Sequence, residues 1–507
     1  MAIRPEGVRG DGAALRALLD LPPGPPEAIT GVTLDSRAVL PGDLYAALPG
    51  FTTHGARFAG PAAAAGAAAV LTDASGLAII EAAGGLHVPV LVVADPRGVL
   101  GRVAAWLYGE PASAVVTTGI TGTNGKTTVA FLLDAALRAT GRTTGLMGTV
   151  ATQIGDQVLP SVRTTPEAPD VHALLAVMRQ RGATAVTMEV SSHALALGRV
   201  DGVLFDLAVF TNLSQDHLDF HGDMEHYFAA KADLFTPQRS RAALVNVDDA
   251  WGQRLAARAR EAGLPTSTYA VDAAADWSVS EVRPGDTAVT GFTAHGPGGL
   301  ALRTGIGLVG RFNVANALAA LAAAVHHGVD PQLAAAAIAA CPGVPGRMER
   351  VDVGQPFLAV VDYAHTPDAV ARAIAAAREV VPGGARILTV LGCGGDRDRD
   401  KRPVMGELAA RESDILVITD DNPRSESALA IREAIMAGVA RVDRRQRAQV
   451  LVEGDRARAI GIAAGMAGPG DVLLVLGKGH EQGQEVAGVV TPFDDRVALR
   501  AAMEGLQ

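Results

Sequence analysis

Short runs of apolar, often β-branched residues alternate along the chain with longer segments in which apolar residues recur every three or four positions. The short runs stop at polar or glycine-rich stretches, as parallel strands buried on both faces do, whereas the longer segments are typical of helices packed on a sheet. This alternation predicts an α/β fold. The clearest predicted strands are 114–120, 185–190, 207–211, 243–247, 358–362, 387–391, 415–419 and 472–476.

Two segments rich in proline and glycine divide the chain. GEPAS (109–113) precedes the first strong strand–loop–helix unit, and CPGVPGR (341–347) follows an alanine-rich pattern that predicts a helix from Asn313 to Ala340. Neither segment can continue a helix, so both suit linkers. The 507 residues also exceed what one hydrophobic core usually holds. We therefore predict three domains, 1–111, 112–345 and 346–507.

Composition and charge narrow the class of protein. No apolar run approaches the roughly 18 residues of a membrane span, and the first residues, MAIRPEGVRG, lack the apolar stretch of a signal peptide. The net charge of −10, without a basic cluster interleaved with aromatics, argues against a nucleic-acid partner. Cys341 and Cys393 are too far apart for a CxxC pair and too few for a disulfide scaffold. We expect a monomer in a reducing cytoplasm, with no membrane span.

Lysine is rare in this chain. Of the 44 lysines and arginines, only those at positions 126, 231, 401 and 478 are lysines. An ammonium is compact and can lose its proton to become a nucleophile, which a guanidinium does not do readily. The retained lysines therefore mark positions where arginine would not serve, although chance survival is an alternative for Lys401 and Lys478.

The segment TGTNGKTT (121–128) lies between a predicted strand and a predicted helix closed by Gly141. Gly122 and Gly125 allow the backbone to wrap a phosphate, and the helix start adds amide donors. Lys126 would reach the β- and γ-phosphates, and the Thr127 hydroxyl would bind Mg²⁺. The strict pattern GxxxxGK[ST] is not met, because its first glycine would fall at Ile120. We predict a shorter phosphate-binding loop.

A second group of polar residues follows the next predicted strands, in MEVSSHAL (188–195) and TNLSQDHLDFHGDMEHYFAAKADLF (211–235). Glu189, at the end of a strand, can bind a metal, and His217 can offer a neutral imidazole to another. A lone histidine is more often packed or exposed than ligating, so a packed or exposed ring is the alternative for His217. Lys231 falls on a predicted helix, where an ordinary solvated lysine is the alternative that the arginine bias disfavours.

Taken together, these segments resemble the Mur ligase family, the ATP-dependent enzymes that add amino acids during peptidoglycan synthesis. TGTNGKTT, EVSSHAL, NLSQDHLDFHG with YFAAKADLF, GRFNVANALAA, PGRMERV and VDYAHTPDA match the family in order, and the resemblance covers nearly all of the chain. The resemblance implies a central P-loop ATPase-like, mostly parallel sheet. It is flanked by an amino-terminal UDP-binding α/β domain and a carboxyl-terminal Rossmann-like α/β domain.

Two further segments, DSRAVLPGDLYAALPG (35–50) and RTTPEAPD (163–170), resemble the member that adds meso-diaminopimelate to UDP-N-acetylmuramoyl-L-alanyl-D-glutamate, here called UDP-muramyl-dipeptide. Catalytic roles are thereby implied for Lys126, Lys231, Glu189 and His217. ATP binding is implied for Gly122, Thr123, Asn124, Gly125, Lys126, Thr127, Thr128, Asn316, Arg347, Asp362 and His365. UDP-muramyl-dipeptide binding is implied for Ser36, Thr164, Thr165, Ser191 and Arg199.

The resemblance also implies two Mg²⁺ sites, one on Thr127 and Glu189 and the other on His217 and a Lys231 carboxylated by CO₂. Loops after three predicted strands of the last domain would bind diaminopimelate through Arg397, Asp421, Asn422, Pro423, Arg424, Gly477 and Glu481. Ser425-Glu426-Ser427 departs from the more acidic, proline-containing family pattern, and Leu197 stands where some relatives have glutamine.

Three alternatives follow from the same residues. A member that adds L-lysine is opposed by the DNPR segment (421–424), and a folylpolyglutamate synthetase is opposed by the amino-terminal DSR segment. A nucleotide-sensing protein without catalysis is opposed by the intact Lys126, Glu189, His217 and Lys231. The acyl-phosphate chemistry that the family implies would need closure of the last domain onto the central one, which excludes water.

Overall fold

The computed structural model describes residues 3–24, 27–50, 52–161, 163–284, 290–381 and 383–506. Within them the apolar runs form strands of three main sheets, and the amphipathic segments form helices that cover these sheets. Each sheet is wholly or mostly parallel, so its strand carboxyl ends meet along one edge.

The first part of the chain builds a four-stranded parallel sheet in the order β3-β4-β5-β6, with a two-stranded β1-β2 ribbon beside it. The alanine-rich stretch 59–70 forms a short helix that leads into a strand, as its small side chains indicate. The elements are β1 (Gly10–Asp11), α1 (Gly12–Leu18), β2 (Ala28–Ile29), β3 (Gly31–Thr33), β4 (Asp43–Ala46), α2 (Ala59–Ala64), β5 (Ala69–Thr72), α3 (Ala74–Ala82), β6 (Val90–Val92) and α4 (Pro96–Leu107).

The middle of the chain builds an eight-stranded sheet in the order β10-β9-β8-β11-β7-β12-β13-β14, in which β9 runs antiparallel to both β8 and β10 and the other pairs are parallel. An antiparallel β15-β16-β17 sheet packs beside it. The elements are β7 (Val116–Thr121), α5 (Lys126–Arg138), β8 (Thr144–Met147), β9 (Thr152–Ile154), β10 (Gln157–Leu159), α6 (Ala168–Gln180), β11 (Ala185–Glu189), α7 (Ser192–Ala196), β12 (Leu207–Phe210), α8 (Leu218–His221), α9 (Met224–Ala232), β13 (Ala243–Asn246), α10 (Ala250–Glu261), β14 (Thr266–Tyr269), β15 (Ser278–Pro284), β16 (Thr290–Gly296), β17 (Leu300–Ile306), α11 (Arg311–His326) and α12 (Pro331–Ala340).

The last part builds a six-stranded sheet in the order β18-β19-β23-β20-β21-β22, parallel except for β18, and a β24-β25 hairpin. The elements are β18 (Glu349–Arg350), β19 (Leu358–Asp362), α13 (Pro367–Val380), β20 (Ile387–Leu391), α14 (Lys401–Glu412), β21 (Ile415–Ile418), α15 (Ala428–Val439), β22 (Gln449–Val452), α16 (Arg456–Met466), β23 (Val472–Leu476), β24 (Gly483–Val486), β25 (Val489–Pro492) and α17 (Asp495–Glu504).

All eight strands predicted from the apolar runs are present, with ends that differ by at most two residues. The prediction of one helix from Asn313 to Ala340 is wrong, because the segment forms two helices, α11 and α12. Gly328 adopts a left-handed backbone conformation (φ 78°), and Pro331 starts the second helix. Alanine continues the apolar pattern across this break, so the pattern alone did not reveal it. In the described part of the chain, no helix is both long and apolar enough to cross a bilayer.

Candidate active site

Residues 122–125 form a tight loop between β7 and α5 at the carboxyl edge of the central sheet. Gly122 has φ 147°, and a Cβ there would lie 1.9 Å from the Thr211 hydroxyl. Gly125 has φ 88°, and a Cβ there would lie 2.4 Å from Oδ1 of Asn316. Both positions therefore need glycine, for backbone conformation and for space. The loop ends at the amino terminus of α5, whose free amides favour an anion.

Two lysine amines converge on one carbonyl of this loop. Lys126 Nζ donates to the carbonyl oxygens of Gly122 (2.8 Å) and Thr123 (2.9 Å), and Lys231 Nζ donates to the same Gly122 oxygen at 2.8 Å. Lys231 is 1 % exposed, and burial, with the charge of Lys126 added, holds its pKa well below the ordinary value. Burial also lowers the pKa of Lys126. The Lys231 side chain is therefore a buried amine that loses its proton easily.

Glu189 ends β11 beside the loop and is fully buried. Its carboxylate accepts hydrogen bonds from Thr127 Oγ1 (2.9 Å), Thr149 N (2.8 Å) and Thr149 Oγ1 (3.1 Å). Sequence reasoning missed Thr149, because a lone threonine after a short strand carries no distinguishing signal. The adjacent hydroxyl and carboxylate oxygens of Thr127 and Glu189 have the chemistry that Mg²⁺ prefers.

His217 precedes the short helix α8 and adopts a left-handed backbone conformation (φ 54°). Its Nε2 lies 3.3 Å from Asp216 Oδ2, and its ring contacts His193 edge-on, with centroids 4.7 Å apart. Partial desolvation, with Lys126 and Lys231 nearby, lowers the pKa of His217 to about 4, against the opposing effect of Asp216. The imidazole is thus neutral near pH 7, as a metal ligand must be. In the residues that the structure describes, no group of three or more His, Cys, Asp or Glu side chains forms a metal cluster by itself.

A cavity of about 450 Å³ opens next to the loop, between the central domain and the last one. Asp362, at the end of β19, accepts the backbone amides of Met348 (2.6 Å) and Ala364 (2.8 Å), and burial raises its pKa. Arg347 donates to Thr127 Oγ1 at 3.3 Å and stacks on Tyr363. The predicted ATP residues that line this cavity are Asn124, Gly125, Thr128, Asn316, Arg347, Asp362 and His365.

Four of the five residues predicted to bind UDP-muramyl-dipeptide form one cluster next to Glu189. Thr165 Oγ1 donates to the Glu189 carbonyl at 2.8 Å and accepts from Ser191 N at 3.0 Å, and Arg199 Nη1 lies 3.4 Å from the Thr165 carbonyl. Thr164 Oγ1 lies 3.0 Å from Thr149 Oγ1. The fifth, Ser36, lies in the turn after β3 of the first sheet.

In the last domain, the loops after β20 and β21 bring Arg397 and Arg424 to the same place. A Cβ on Gly394 would lie 3.0 Å from Arg424 Nη1 and 3.9 Å from Arg397 Cγ. Arg424 has φ 53°, and its Nη1 donates to the Gly395 carbonyl at 2.7 Å. Its backbone pairs with the β24-β25 hairpin, through Arg424 N to the Glu485 carbonyl at 3.0 Å. Pro423 is buried in the same loop.

Asp421, Asn422 and Glu481 meet at the carboxyl ends of β21 and β23, around the ammonium of Lys478. Asn422 Nδ2 donates to Glu481 Oε2 at 2.7 Å. Gly477 has φ 117°, and a Cβ there would lie 2.5 Å from Asp421 Oδ2. The structure therefore brings together the residues predicted to bind the amino acid.

Ser425-Glu426-Ser427, the segment that departs from the family pattern, lies in the loop after β21 and contacts the loop after β20. Glu426 accepts two hydrogen bonds from the buried Arg402, at 2.8 and 3.0 Å, and one from the Asp396 amide at 2.6 Å. Ser425 Oγ donates to Asp396 Oδ1 at 2.6 Å, and Ser427 caps α15 through Ala430 N. Arg402 lowers the pKa of Glu426 to about 2.

Three family models together match most of this chain. Residues 28–107 match the family model described as Mur ligase family, catalytic domain. Residues 120–324 match the Mur ligase middle domain, and residues 346–479 match the Mur ligase, glutamate ligase domain.

Two curated relatives are named UDP-N-acetylmuramoyl-L-alanyl-D-glutamate–2,6-diaminopimelate ligase. The one from Streptomyces avermitilis is 56 % identical, over 94 % of this chain and 93 % of its own length. The one from Streptomyces coelicolor is 54 % identical, over 99 % of both chains. A solved structure of a protein with the same name is 32 % identical, with a TM-score of 0.67, over 97 % of this chain and 98 % of that one.

Proposed function

The chain belongs to the Mur ligase family, whose members are ATP-dependent amide ligases, and we propose that it joins meso-diaminopimelate to UDP-N-acetylmuramoyl-L-alanyl-D-glutamate. The reaction belongs to the synthesis of peptidoglycan precursors. The names of the relatives support diaminopimelate rather than L-lysine or a folate as substrate. The observation that carries the proposal is the convergence of Lys126 and Lys231 on the Gly122 carbonyl, because it places a phosphate-binding cation beside a buried reactive amine.

The first step is phosphoryl transfer at the loop. The D-glutamyl γ-carboxylate attacks the γ-phosphorus of ATP, a carbon–oxygen–phosphorus linkage forms, and ADP leaves. Lys126 leaves the loop carbonyls and binds phosphate oxygens, which offsets their developing charge. The cavity next to the loop accepts the nucleoside, with Asn316 at adenine and Asp362 at the ribose.

The second step forms the amide bond. The deprotonated amine of diaminopimelate attacks the acyl carbon and gives a tetrahedral intermediate, which expels phosphate. Thr164, Thr165, Ser191 and Arg199 hold the dipeptide beside Glu189, and Ser36 contacts the UDP end. Loops of the last domain bind the amino acid, through Arg397, Asp421, Asn422, Pro423, Arg424, Gly477 and Glu481.

Two Mg²⁺ ions belong to this proposal. Thr127 and Glu189 would hold one, and His217 with a carboxylated Lys231 would hold the other. When bound, the ions neutralise charge on the ATP phosphates. The chain's own contribution is the neutral His217 ring and the buried Lys231 amine, which adds to the carbon of CO₂ and releases a proton to give an anionic carbamate.

The proposal is tested by incubating the protein with ATP, UDP-muramyl-dipeptide and one candidate amino acid at a time, and weighing the product by mass spectrometry. The expected result is a product heavier by one diaminopimelate residue, formed together with ADP and phosphate. Product with L-lysine alone, or with a folate acceptor, would overturn it.

We also propose that the chain acts as a monomer in the cytoplasm. Light scattering of the purified protein, with and without substrates, tests the oligomeric state. A stable mass of two chains would contradict this part of the proposal.

A further inference from the structure

Lys478 is a fully buried lysine, at 0 % exposure, in the loop that follows β23. Its Nζ lies 2.9 Å from Asn422 Oδ1, 3.2 Å from Glu481 Oε2 and 3.8 Å from Asp421 Oδ1. All three partners belong to the proposed amino-acid site, which does not itself account for this lysine. Lys478 is also one of only four lysines in an arginine-rich chain.

The ammonium fixes the orientation of the Asn422 amide. Asn422 Oδ1 accepts from Lys478 Nζ and from the Glu485 backbone amide at 3.0 Å, so the Nδ2 end must point the other way, toward Glu481. Glu481 Oε2 then accepts from both Asn422 and Lys478. Because Oε2 is committed to the protein, Oε1 is the oxygen left for a substrate ammonium.

The same ammonium sets the charge of the site. Asp421 and Glu481 both lie within 4 Å of Lys478 Nζ, so the three groups together carry one net negative charge. That charge complements one ammonium of the substrate. Without Lys478, Asp421 and Glu481 would lose the cation that they share, although Asn422 Nδ2 would still donate to Glu481.

Arginine cannot take over this role. The three acceptors surround one point, which suits a compact ammonium with three donors, whereas a guanidinium is planar and larger. No part of the Lys478 side chain reaches solvent, so the extra atoms would have to displace packed neighbours.

We propose that Lys478 is a positioning residue that orients Asn422 and Glu481 for the amino-acid substrate and acts on the amide-forming step alone. The proposal rests on the proposed function, since it assumes that diaminopimelate binds to these loops. It predicts that loss of the Lys478 ammonium impairs use of the amino acid and spares phosphorylation of the dipeptide.

The experiment compares wild type with Lys478→Met and Lys478→Gln in two assays. The first measures KM for diaminopimelate, ATP and UDP-muramyl-dipeptide. The second replaces the amino acid by hydroxylamine, which attacks the acyl phosphate and releases phosphate, so that hydroxamate reports the first step. The matched control is Asp471→Asn, which breaks the Arg386–Asp471 ion pair at the opposite end of β23.

We expect both Lys478 variants to raise KM for diaminopimelate at least tenfold, with the other two KM values and the hydroxamate rate within twofold of wild type. Asp471→Asn should lower Tm without raising KM for diaminopimelate. Lys478→Gln keeps a hydrogen-bond donor without the charge. If Lys478→Met does not fold, KM for diaminopimelate of Lys478→Gln tests the proposal.

Two results would overturn the inference while leaving the proposed function intact. One is an unchanged KM for diaminopimelate in a folded Lys478 variant. The other is a parallel loss of hydroxamate and amide formation, which would make Lys478 a general structural residue. A wild-type enzyme that forms hydroxamate but does not use diaminopimelate would instead overturn the proposed function, and this inference with it.

Discussion

The surroundings of Lys231 and Arg424 give these two basic side chains different properties. Lys231 donates to a loop carbonyl from a fully buried position, beside the second amine of Lys126. Two cations so close together are unfavourable, which favours the uncharged amine of Lys231. Arg424, in contrast, keeps a permanent charge and is held by the Gly395 carbonyl and by the hairpin.

At Lys231, we predict that Lys231→Arg is as inactive as Lys231→Ala. A guanidinium does not form a carbamate with CO₂, and its fixed charge would repel a metal ion. The measurement is turnover of both variants, together with the ¹³C signal of a carbamate in wild type supplied with ¹³CO₂. Near-normal turnover of the arginine variant would contradict the prediction.

At Arg424, we predict that wild type prefers meso-diaminopimelate over L-lysine by roughly 10⁴ in kcat/KM and that Arg424→Ala loses most of this preference. Only diaminopimelate has a second carboxylate, which a guanidinium binds through two parallel hydrogen bonds. The measurement is kcat/KM for both amino acids. Arg441→Ala, an exposed arginine of the same domain, is the control and should change nothing. Discrimination within tenfold in wild type, about 1.4 kcal/mol, would refute the prediction.

At the scale of elements, the loops between strands and helices are joined to each other by side chains rather than by regular pairing. Glu426 links the loop after β21 to the start of α14 through Arg402, and to the loop after β20 through the Asp396 amide. These two loops carry Arg424 and Arg397. The buried Arg402 therefore contributes, with the backbone bond from Gly395 N to the Asn422 carbonyl, to the spacing of the two arginines that we propose for substrate recognition.

For the contact between Glu426 and Arg402, we predict that Glu426→Gln lowers Tm at pH 7. The difference in Tm between this variant and wild type should become smaller as the pH falls. The pKa of Glu426 is about 2 in the folded protein against an ordinary value of 4.5. Because the folded pKa is the lower one, the stabilisation is complete above about pH 4.5 and is lost progressively toward pH 2.

The measurement is Tm of wild type and Glu426→Gln from pH 7 down to pH 3. Glu407→Gln is the control, since the partly exposed Glu407 pairs with the more exposed Arg411 and Arg441, and an ion pair at the surface contributes little. A difference between wild type and Glu426→Gln that does not depend on pH would refute the proposed charge effect.

At the scale of the whole molecule, the residues that we propose for phosphoryl transfer and those that we propose to bind the amino acid lie on different domains. The loop after β7, Glu189 and Lys231 lie in the central domain, whereas Arg397, Arg424 and Glu481 lie in the last domain. Contacts that link the two domains at the loop include Asn124 Nδ2 to Asp368 Oδ2 at 3.0 Å and Arg347 to Thr127. This division is consistent with a reaction order in which the dipeptide is phosphorylated before the amine of diaminopimelate reaches it.

We therefore predict that the enzyme with ATP and UDP-muramyl-dipeptide, without amino acid, transfers ¹⁸O from the γ-carboxylate to phosphate as the acyl phosphate slowly hydrolyses. Lys126→Ala should abolish this transfer and amide formation together, because one cation serves the phosphoryl step on which both depend. Mass analysis of the released phosphate provides the measurement. Absence of label in phosphate would indicate direct attack without an acyl phosphate.

The sequence by itself predicted eight of the strands, the glycine-containing loop after β7 and the position of the polar segments at the carboxyl ends of strands. The spacing of apolar residues and of glycines is a local property of the sequence, so apolar runs predict strands and the glycines of 121–128 predict a loop before the next helix. The same locality explains the error at Asn313–Ala340, where alanine continues the apolar pattern across a glycine and a proline that end one helix and begin another.

Only the tertiary structure decided which distant groups meet. Strand order places β7 between β11 and β12, so that Glu189, the Gly122 carbonyl and the loop before Lys231 lie together although Gly122 and Lys231 are 109 residues apart. In the same way, Thr149 reaches Glu189, and Lys478 is enclosed by Asp421, Asn422 and Glu481. No periodic pattern encodes such contacts, because they depend on how whole strands are ordered and on what closes over each side chain.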